Sequence, residues 1–375
     1  MRLCVTDFVP LLAYCKPHNR NWPNSQSESH RDIGKTSYRY EDAMVKKLLR
    51  GTLCALCFVL MAAPGFAAEF NMKFSSCMNP DHSWSRSAEL FKTYVEENSG
   101  GRIAIEVFNA NSIGSNREVL EMLKMGTVDF MNAGVTHASS NVPELGILVL
   151  PYLWADSDRL FASLNGPFGA ELGARLSAKN LELMAWLDNG FRDITSKSKP
   201  IVTPEDIKGL KIRCLPSKVH MEFFKALGAA PSPVGWAELY QALQQGLVMA
   251  QENPPATIFF AQFQEVQKYY SKTSHANEPG LVLMSKATLN KLPKDLQLLV
   301  KVAAQKAFEW QKIQNAKDNE TCLEGLQKAG MVVNDVPQAT IDEFRKIAQS
   351  VYPVAIDTFG KDGKYLVDVA VFYNK

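Results

Sequence analysis

Segments with the period of a β-strand alternate with segments of helical period along most of this chain, and few folds accommodate such an alternation. Residues 70–74 alternate apolar and polar side chains as a strand does, and the apolar side chains of residues 83–98 lie on one helical face. Residues 103–107 return to the strand pattern, and Ser115 with Glu118 forms the capping-box sequence that opens a helix. The pattern predicts an α/β fold with mostly parallel sheets.

A short pattern occurs twice, which indicates two similarly built halves. Glu118–Gly126 and Glu238–Gly246 each begin with an acidic residue, continue with apolar residues at helical spacing and end in a glycine before an apolar strand. A chain of 375 residues is long enough for two domains of ordinary size. A chance similarity between two strand–helix units would also explain the repeat, so the pattern alone leaves both explanations open.

The C-terminal third of the chain is predicted to be largely helical. The run from Lys294 to Lys328 contains no proline, and its one glycine is Gly325. A helix of that length exceeds the usual globular helix and could brace both halves. Its apolar face becomes more polar after Trp310, so the pattern supports the first half of this helix more strongly than the second. Residues 340–366 also follow a mainly helical pattern.

The N-terminal residues have the pattern of an export signal. A basic run is followed by an apolar stretch at 53–63 and then by small residues. The apolar stretch is shorter than the ~20 residues that a membrane-spanning helix needs; a membrane anchor or a buried helix is the alternative. We expect residues 44–67 to be a signal peptide cleaved near Ala67, residues 1–43 to be a mis-called N-terminal extension, and the mature protein to work in the periplasm.

Charge and motif content argue against several classes of function. The net charge of +2 gives no reason to expect a nucleic-acid partner. The chain lacks the sequence motifs of serine hydrolases, zinc proteases, P-loop proteins and dinucleotide-binding proteins, and no two histidines after residue 67 have metal-ligand spacing. We therefore expect no enzymatic activity, no cofactor and no metal site. Cys77, Cys214 and Cys322 are expected to be buried free thiols, with at most one disulfide among them.

Two arginines lie in extended segments where a charge is unusual. Arg213 falls within a predicted strand at 210–215, and Arg192 opens another extended segment beside a turn. An arginine at the carboxyl end of a strand would point into the crevice where α/β folds bind ligands. Its planar fork fits a carboxylate through two hydrogen bonds. A surface position or an internal ion pair is the alternative for either residue.

Aromatic and amide side chains fall at other predicted strand ends. Trp236 precedes a helix, Asn253 ends a predicted strand, and His82 and Trp84 follow the first strand. Packing in the core is the default role for each tryptophan. Because several such residues occur at equivalent positions, the sequence favours a binding cleft at this edge of the sheets.

Several motifs together resemble the periplasmic solute-binding proteins of TRAP (tripartite ATP-independent) transporters, the DctP-like family. The resemblance covers about residues 70–350, nearly all of the predicted mature chain. Its most specific parts are Pro204–Arg213, which reads P-E-D-x-K-G-L-K-I-R, and Gln251–Pro254, which reads Q-E-N-P. The other matching motifs are Gly114 with Leu120, Glu121–Asp129, Leu150–Tyr152, Asn189–Arg192, Gly228–Pro233 and Glu238–Gly246.

The resemblance implies roles for seven residues. Arg213 matches the strand arginine that holds the ligand carboxylate in this family, and Arg192 matches a second arginine that often assists. Asn253 matches an amide near the ligand, and Trp236 matches an aromatic lid. Glu118 matches a residue on the wall of the first domain, although helix capping explains that glutamate equally well.

His82 and Trp84 match a variable position of the first loop, where such proteins contact the distal end of the ligand.

One departure from the family pattern affects the amide. The family usually has Asp-Gly before Gln-Glu-Asn-Pro, whereas this chain has Met249 and Ala250 there. The missing glycine could change the end of the strand and therefore the placement of Asn253.

The resemblance also implies the architecture. We expect two α/β domains of the periplasmic-binding-protein (clamshell) type, joined by hinge strands and a long spanning helix. The first domain would comprise residues 68–189 and 278–317, and the second would comprise residues 190–277 and 318–375.

By the same resemblance, the protein would be the solute-binding subunit of a TRAP transporter. It would capture a small organic acid, either a sugar acid or a C4-dicarboxylate, and deliver it to the membrane permease subunits. An exported lyase or hydrolase that acts on an organic acid in the same cleft is one alternative. A protein that senses the same ligand for a membrane receptor is another.

Overall fold

The computed structural model describes residues 68–360 and 362–374. The expectations for the extension at 1–43 and the signal peptide at 44–67 lie outside these described residues. None of the described helices is both long enough and apolar enough to cross a membrane.

The described residues form two β-sheets. The strands are β1 (Phe70–Ser76), β2 (Ile103–Phe108), β3 (Phe130–Gly134), β4 (Leu181–Leu187), β5 (Phe191–Ser196), β6 (Lys211–Arg213), β7 (Ala230–Ser232), β8 (Ala250–Asn253), β9 (Tyr269–Asn277), β10 (Gly280–Ser285) and β11 (Val332–Asp335). The first sheet has the strand order β2-β1-β3-β10-β4, and the second has the order β11-β9-β5-β8-β6-β7. The chain therefore passes from the first sheet to the second after β4 and returns after β9.

Helices cover both faces of the sheets. They are α1 (Ser83–Asn98), α2 (Asn116–Met125), α3 (Val135–Ala138), α4 (Ser157–Leu164), α5 (Pro167–Ser177), α6 (Lys218–Ala226), α7 (Leu239–Gln244), α8 (Pro255–Phe260), α9 (Lys286–Lys291), α10 (Lys294–Lys328), α11 (Gln338–Thr358) and α12 (Gly363–Tyr373). Short 3₁₀ segments occur at Pro143–Val149, Pro204–Asp206, Trp236–Glu238 and Phe263–Glu265. The predicted helices at 83–98 and 294–328 have the bounds that the sequence pattern indicated.

The α/β class is confirmed, and both sheets are mostly parallel, each with one strand that runs antiparallel to its neighbours. In the first sheet, β1 pairs in parallel with β2 and β3, whereas β10 runs antiparallel to β3 and β4. In the second sheet, β6 pairs in parallel with β7 and β8, whereas β5 runs antiparallel to β8 and β9. Both antiparallel strands directly follow a crossing between the sheets. Side-chain periodicity reports that a strand forms and does not report the direction of its partner.

Each sheet is covered by apolar side chains on both faces. On the first sheet, one core includes side chains of α1 and α10, and the other includes side chains of α2, α4, α5 and α12. On the second sheet, one core includes α6 and α11, and the other includes α7, α8 and the end of α10. The last helix, α12, thus packs with the helices of the first sheet, although the sequence-based division grouped residues 318–375 with the other domain.

The long helix α10 spans both halves. Its first part packs against α1 and β4, and it also packs against α8 beside the second sheet. Buried polar residues in its second part meet the crossing between the sheets. Gln311 Nε2 donates to the carbonyl oxygen of Asp188 at 2.8 Å, and Gln311 Oε1 accepts from the Asp188 N–H at 3.0 Å. Asn315 Nδ2 donates to the Asp188 carboxylate at 3.3 Å.

The next two residues of the crossing are held by the same helix. Asn319 Nδ2 donates to the carbonyl oxygen of Asn189 at 3.1 Å. Gly190 has a φ of +97°, and a Cβ there would lie 2.6 Å from Asn319 Nδ2, so only glycine fits without strain. The crossing at 188–190 is therefore fixed by polar contacts rather than by apolar packing.

Candidate ligand-binding site

A small cavity of about 30 Å³ lies between the two sheets. Its walls come from both halves and are formed by Cys77, Met78, Trp84, Asn116, Gly134, His137, Asn189, Arg192, Arg213, Leu215, Trp236, Asn253 and Glu278. Four larger open grooves occur elsewhere on the described surface, and neither buried arginine lines them. Five of the seven candidate residues named from the sequence line it, namely Arg213, Arg192, Asn253, Trp236 and Trp84.

Arg213 is the last residue of β6, and its guanidinium faces the cavity. The side chain is buried, and its Nε donates to the carbonyl oxygen of Val234 at 3.0 Å. Among the described residues, none accepts a hydrogen bond from its two terminal nitrogens. Burial lowers the pKa of Arg213 from its ordinary value, and the nearby charge of Arg192 also lowers it. The guanidinium stays cationic at neutral pH and has two donors available for an anion.

Arg192, near the start of β5, has a different environment. Its Nε and Nη2 donate to both carboxylate oxygens of Glu252, and its Nη1 donates to Glu278 Oε2 at 3.1 Å. The side chain is fully buried. Burial opposes its charge, but the two carboxylates raise the pKa of Arg192 above its ordinary value. Most hydrogen-bond donors of Arg192 are used by Glu252 and Glu278, so few remain for a ligand. Arg192 instead fixes the positions of these two carboxylates, and Arg192 and Glu278 together form the floor of the cavity.

Glu252 connects Arg192 to two histidines beneath the cavity. His275 Nε2 lies 3.2 Å from Glu252 Oε2, and one ligand atom each of His220, Glu252 and His275 all lie within 4.8 Å of one another. The histidine spacing in the sequence gave no sign of this cluster. Although the donor set resembles a metal site, the Arg192 guanidinium already contacts the carboxylate, and its charge would repel a cation there.

Burial and hydrogen bonding account for the charges in this cluster. Burial opposes ionisation of Glu252, but the Arg192 charge lowers the pKa of Glu252 well below its ordinary range. His220 Nε2 donates to the carbonyl oxygen of Val149 at 2.8 Å, and burial lowers the pKa of His220 to about 4. At neutral pH His220 is therefore neutral, and the ion pair of Arg192 with Glu252 carries the charge.

Glu278 lies in the return crossing between β9 and β10, and sequence reasoning missed it. Its carboxylate accepts hydrogen bonds from the Thr136 hydroxyl and from Arg192. Burial raises the pKa of Glu278 above its ordinary value. A Cβ at Gly134 would lie 2.5 Å from Glu278 Oε1, so this glycine lets the carboxylate approach the backbone. Glu278 belongs to none of the motifs, so its position between two strands was the one sequence feature that could have predicted a role at the site.

The amide and both tryptophans complete the wall that the sequence predicted. Asn253 Nδ2 donates to Gln251 Oε1 at 2.6 Å, and Asn253 ends β8 as expected despite Met249 and Ala250. Trp84 Nε1 donates to the carbonyl oxygen of Asp188 at 2.8 Å, which fixes the indole. Trp236 is half-buried and packs on Phe263, with the ring centroids 5.7 Å apart. Both indoles line the cavity.

Three further polar residues of the cavity were not anticipated. Asn116 begins α2, His137 lies in α3, and Asn189 lies in the crossing after β4. Asn116 Nδ2 and His137 Nε2 are 3.1 Å apart. Burial, and then the charges of Arg213 and Arg192, lower the pKa of His137 to about 4. His137 is therefore neutral at physiological pH.

Two of the predicted site residues lie outside the cavity lining. Glu118 closes the capping box of α2: its carboxylate accepts from the Ser115 N–H at 2.8 Å, and Ser115 Oγ accepts from the Glu118 N–H. His82 is buried and caps α1 by accepting from the Trp84 N–H at 3.2 Å, while its Nε2 lies 3.3 Å from Thr257 Oγ1. Both side chains are used in local structure, so the helix-capping explanation of Glu118 is the one that the geometry favours.

The three cysteines of the described chain, Cys77, Cys214 and Cys322, are free and buried, as the sequence indicated. Burial raises the pKa of both Cys77 and Cys214 to about 12, so neither is a reactive thiolate at neutral pH.

Two mixed α/β halves around a cavity that holds an unpaired, buried arginine define a solute-binding protein of the clamshell class. The family model of bacterial extracellular solute-binding proteins, family 7 (DctP), matches residues 74–358. The chain belongs to this DctP family, whose named members include solute-binding proteins of TRAP transporters. The resemblance seen in the sequence motifs is therefore confirmed.

Named relatives and solved structures agree with this assignment. The chain is 32% identical to the 2,3-diketo-L-gulonate-binding periplasmic protein YiaO of Escherichia coli, over 68% of this chain and 79% of that protein. It is 30% identical to the C4-dicarboxylate-binding periplasmic protein DctP of Rhodobacter capsulatus, over 72% of this chain and 81% of that protein.

Two crystal structures illustrate the similarity of fold. A TRAP periplasmic solute-binding protein from Sulfitobacter sp. NAS-14.1, with bound β-D-galacturonate, has a TM-score of 0.78 and 27% identity. The two structures align over 80% of this chain and 99% of the Sulfitobacter chain. A TRAP periplasmic solute-binding protein from Sulfurospirillum deleyianum, with bound succinate, has a TM-score of 0.77 and 30% identity, with the same coverage.

Proposed function

We propose that this protein is the periplasmic solute-binding subunit of a TRAP transporter and that it captures a small organic acid through Arg213. The observation that carries the proposal is the guanidinium of Arg213, which is buried at the cavity and has two terminal nitrogens without a partner among the described residues. A buried cation without a carboxylate is costly, so an anionic ligand would relieve that cost. Each charge-assisted hydrogen bond is worth roughly 1.5–3 kcal/mol.

The remaining predicted residues have supporting roles in this proposal. Arg192 holds Glu252 and Glu278 in place through ion pairs, so the charges at the floor of the cavity keep fixed positions. Asn253 contributes an amide, and Trp84 and Trp236 enclose the carbon chain of the ligand between their rings. Aromatic faces of this kind suit the C–H surface of a sugar acid, and the carboxylate pairing alone suits a C4-dicarboxylate equally well. Relatives of this chain are named for both classes of ligand.

Binding would be coupled to closure of the two halves. The connections between them include the crossings at 188–190 and 278–279, the long helix α10, and the link between α11 and α12. We retain the division into residues 68–189 with 278–317 and 190–277 with 318–375 as a proposal, with α12 packed on the first half. Rotation about short crossings of this kind is a common mode of ligand enclosure. The closed form would present the surface that the membrane permease subunits recognise.

We propose binding without turnover. Of the titratable groups at the cavity, Glu278 is held by Thr136 and Arg192, and Cys77 has a raised pKa. His137 is the remaining one and lies next to an amide rather than a carboxylate. An acid recovered unchanged after prolonged incubation would agree with this proposal, and its consumption would favour an exported lyase or hydrolase instead.

The proposal is tested on the purified protein lacking residues 1–67. A thermal-shift screen of organic acids identifies the best ligand, and titration calorimetry then compares three variants with the unchanged protein. Arg213→Ala should abolish detectable binding, and Arg213→Lys should also bind poorly because a lysine has no planar fork. Arg102→Ala, at an exposed ion pair with Glu69 and Asp295, is the control and should bind normally. Unchanged affinity in Arg213→Ala would refute the role of this arginine.

A further inference from the structure

The charges around the cavity are unequally available to a ligand. Among the described lining residues, the two cations are Arg192 and Arg213, and Arg192 is paired with Glu252 and Glu278. Arg213 is therefore, in the described part of the chain, the lining cation with free terminal nitrogens, and these two nitrogens can bind one carboxylate. Glu278 lines the same cavity with a carboxylate of its own.

The first half contributes a wall of neutral polar groups to the cavity, besides the carboxylate of Glu278. Asn116 contributes an amide, and His137 contributes an imidazole whose pKa is about 4. These two side chains lie 3.1 Å apart, and Asn189 adds a second amide at the crossing. Amide and imidazole groups can both donate to and accept from hydroxyl groups, whereas they cannot neutralise a carboxylate.

Two further cations lie near this wall but outside the cavity lining. Arg117 and Lys218 line a neighbouring groove together with His137, and both side chains are exposed. Neither is among the residues that line the cavity. His137 therefore stands between the cavity and these two positive charges.

Given the proposed function, we infer that the ligand has a single carboxylate and a hydroxylated, uncharged distal end, and that His137 and Asn116 select for that end. A second carboxylate would be desolvated against neutral groups and close to Glu278, with no cation to pair with it. An unpaired buried charge is among the most costly defects in a binding site. A hydroxyl group at the same place would instead find both donors and acceptors.

Matched pairs of acids test this inference directly. Each pair keeps the chain length and differs in one terminus, where a CH₂OH group in the first acid is a carboxylate in the second. The pairs are glycerate with tartronate, threonate with tartrate, and galactonate with galactarate, each titrated by calorimetry at pH 7.5. We expect the monocarboxylate of the best-fitting length to bind at least about 100-fold more tightly than its dicarboxylate partner. A dicarboxylate that binds as tightly as its partner would overturn the inference.

A substitution tests whether His137 is responsible. His137→Arg places a cation on the distal wall and should reduce the preference within the best pair by at least about tenfold. Ser140→Arg adds the same charge at an exposed position of the neighbouring groove and should leave the preference unchanged. An unchanged preference in His137→Arg, measured on protein with a normal unfolding transition, would show that His137 does not select the ligand.

The outcomes also separate this inference from the function on which it rests. If dicarboxylates bind and Arg213→Ala abolishes that binding, the solute-binding function stands and the single-carboxylate inference fails. If no organic acid binds at any chain length, the proposed function fails, and the inference fails with it.

Discussion

Arg192 and Arg213 are alike in burial and differ in what surrounds them. Arg192 contacts two carboxylates, and Arg213 donates only to a backbone carbonyl among the described residues. Removing a buried guanidinium that has carboxylate partners destabilises the fold, whereas a buried guanidinium without such partners is itself unfavourable until an anion binds. The same residue type therefore serves the structure at one strand and serves the ligand at another.

This contrast predicts effects of different size on the stability of the ligand-free protein. Arg192→Met should lower the free energy of unfolding by about 3–5 kcal/mol, because it leaves Glu252 and Glu278 buried without their cation. Arg213→Met should change it by less than about 1 kcal/mol, or raise it, because no carboxylate loses a partner. Urea unfolding of both variants measures the difference. Equal losses in the two variants would mean that Arg213 also has an internal structural partner.

The long helix α10 shows how an element can have two kinds of surface. Its first part buries apolar residues such as Val300 and Phe308, and its second part buries Gln311, Asn315 and Asp318. The sequence pattern became more polar after Trp310, and a periodicity analysis could only regard this as weaker support for a helix. Gln311 and Asn315 are instead buried partners of the crossing at 188–190, which lies far away in sequence, and Asp318 pairs with Arg86.

A matched pair of glutamines on this helix tests the role of the buried polar band. Gln311→Ala removes three hydrogen bonds that join α10 to Asp188 and Ser83. The Asp188 N–H loses its side-chain acceptor, whereas the Asp188 carbonyl keeps the hydrogen bond from Trp84. We expect a loss of about 1–3 kcal/mol in the free energy of unfolding. Gln305→Ala, at an exposed position of the same helix, should cost less than about 0.5 kcal/mol. Similar losses in both variants, measured by urea unfolding, would contradict a structural role for the band.

Much of the element structure followed from periodicity and capping, because these are local properties. The bounds of α1 and α10 and the capping box at Ser115 needed only neighbouring residues. Strand direction could not be read in the same way, since β5 and β10 are antiparallel through partners that are distant in sequence. The histidine cluster beneath the cavity was missed for the same reason: His220, Glu252 and His275 come from three separate elements.

At the scale of the whole molecule, the cavity is built from residues that the fold collects from both halves. Strand ends and family motifs pointed to five of its residues. The neutral wall of Asn116 and His137, and the carboxylate of Glu278, could not be anticipated because they depend on how the two sheets face each other. That arrangement brings the guanidinium of Arg213 and the neutral wall of Asn116 and His137 to one cavity, and the ligand would contact both.

The most direct test is a crystal structure of the protein lacking residues 1–67, bound to the best acid from the screen. We expect both carboxylate oxygens to lie about 2.7–2.9 Å from the terminal nitrogens of Arg213, inside the cavity between the sheets. Arg192 should keep its contacts with Glu252 and Glu278. A carboxylate bound to Arg192 or outside the cavity, with the Arg213 nitrogens still unoccupied, would contradict the central claim.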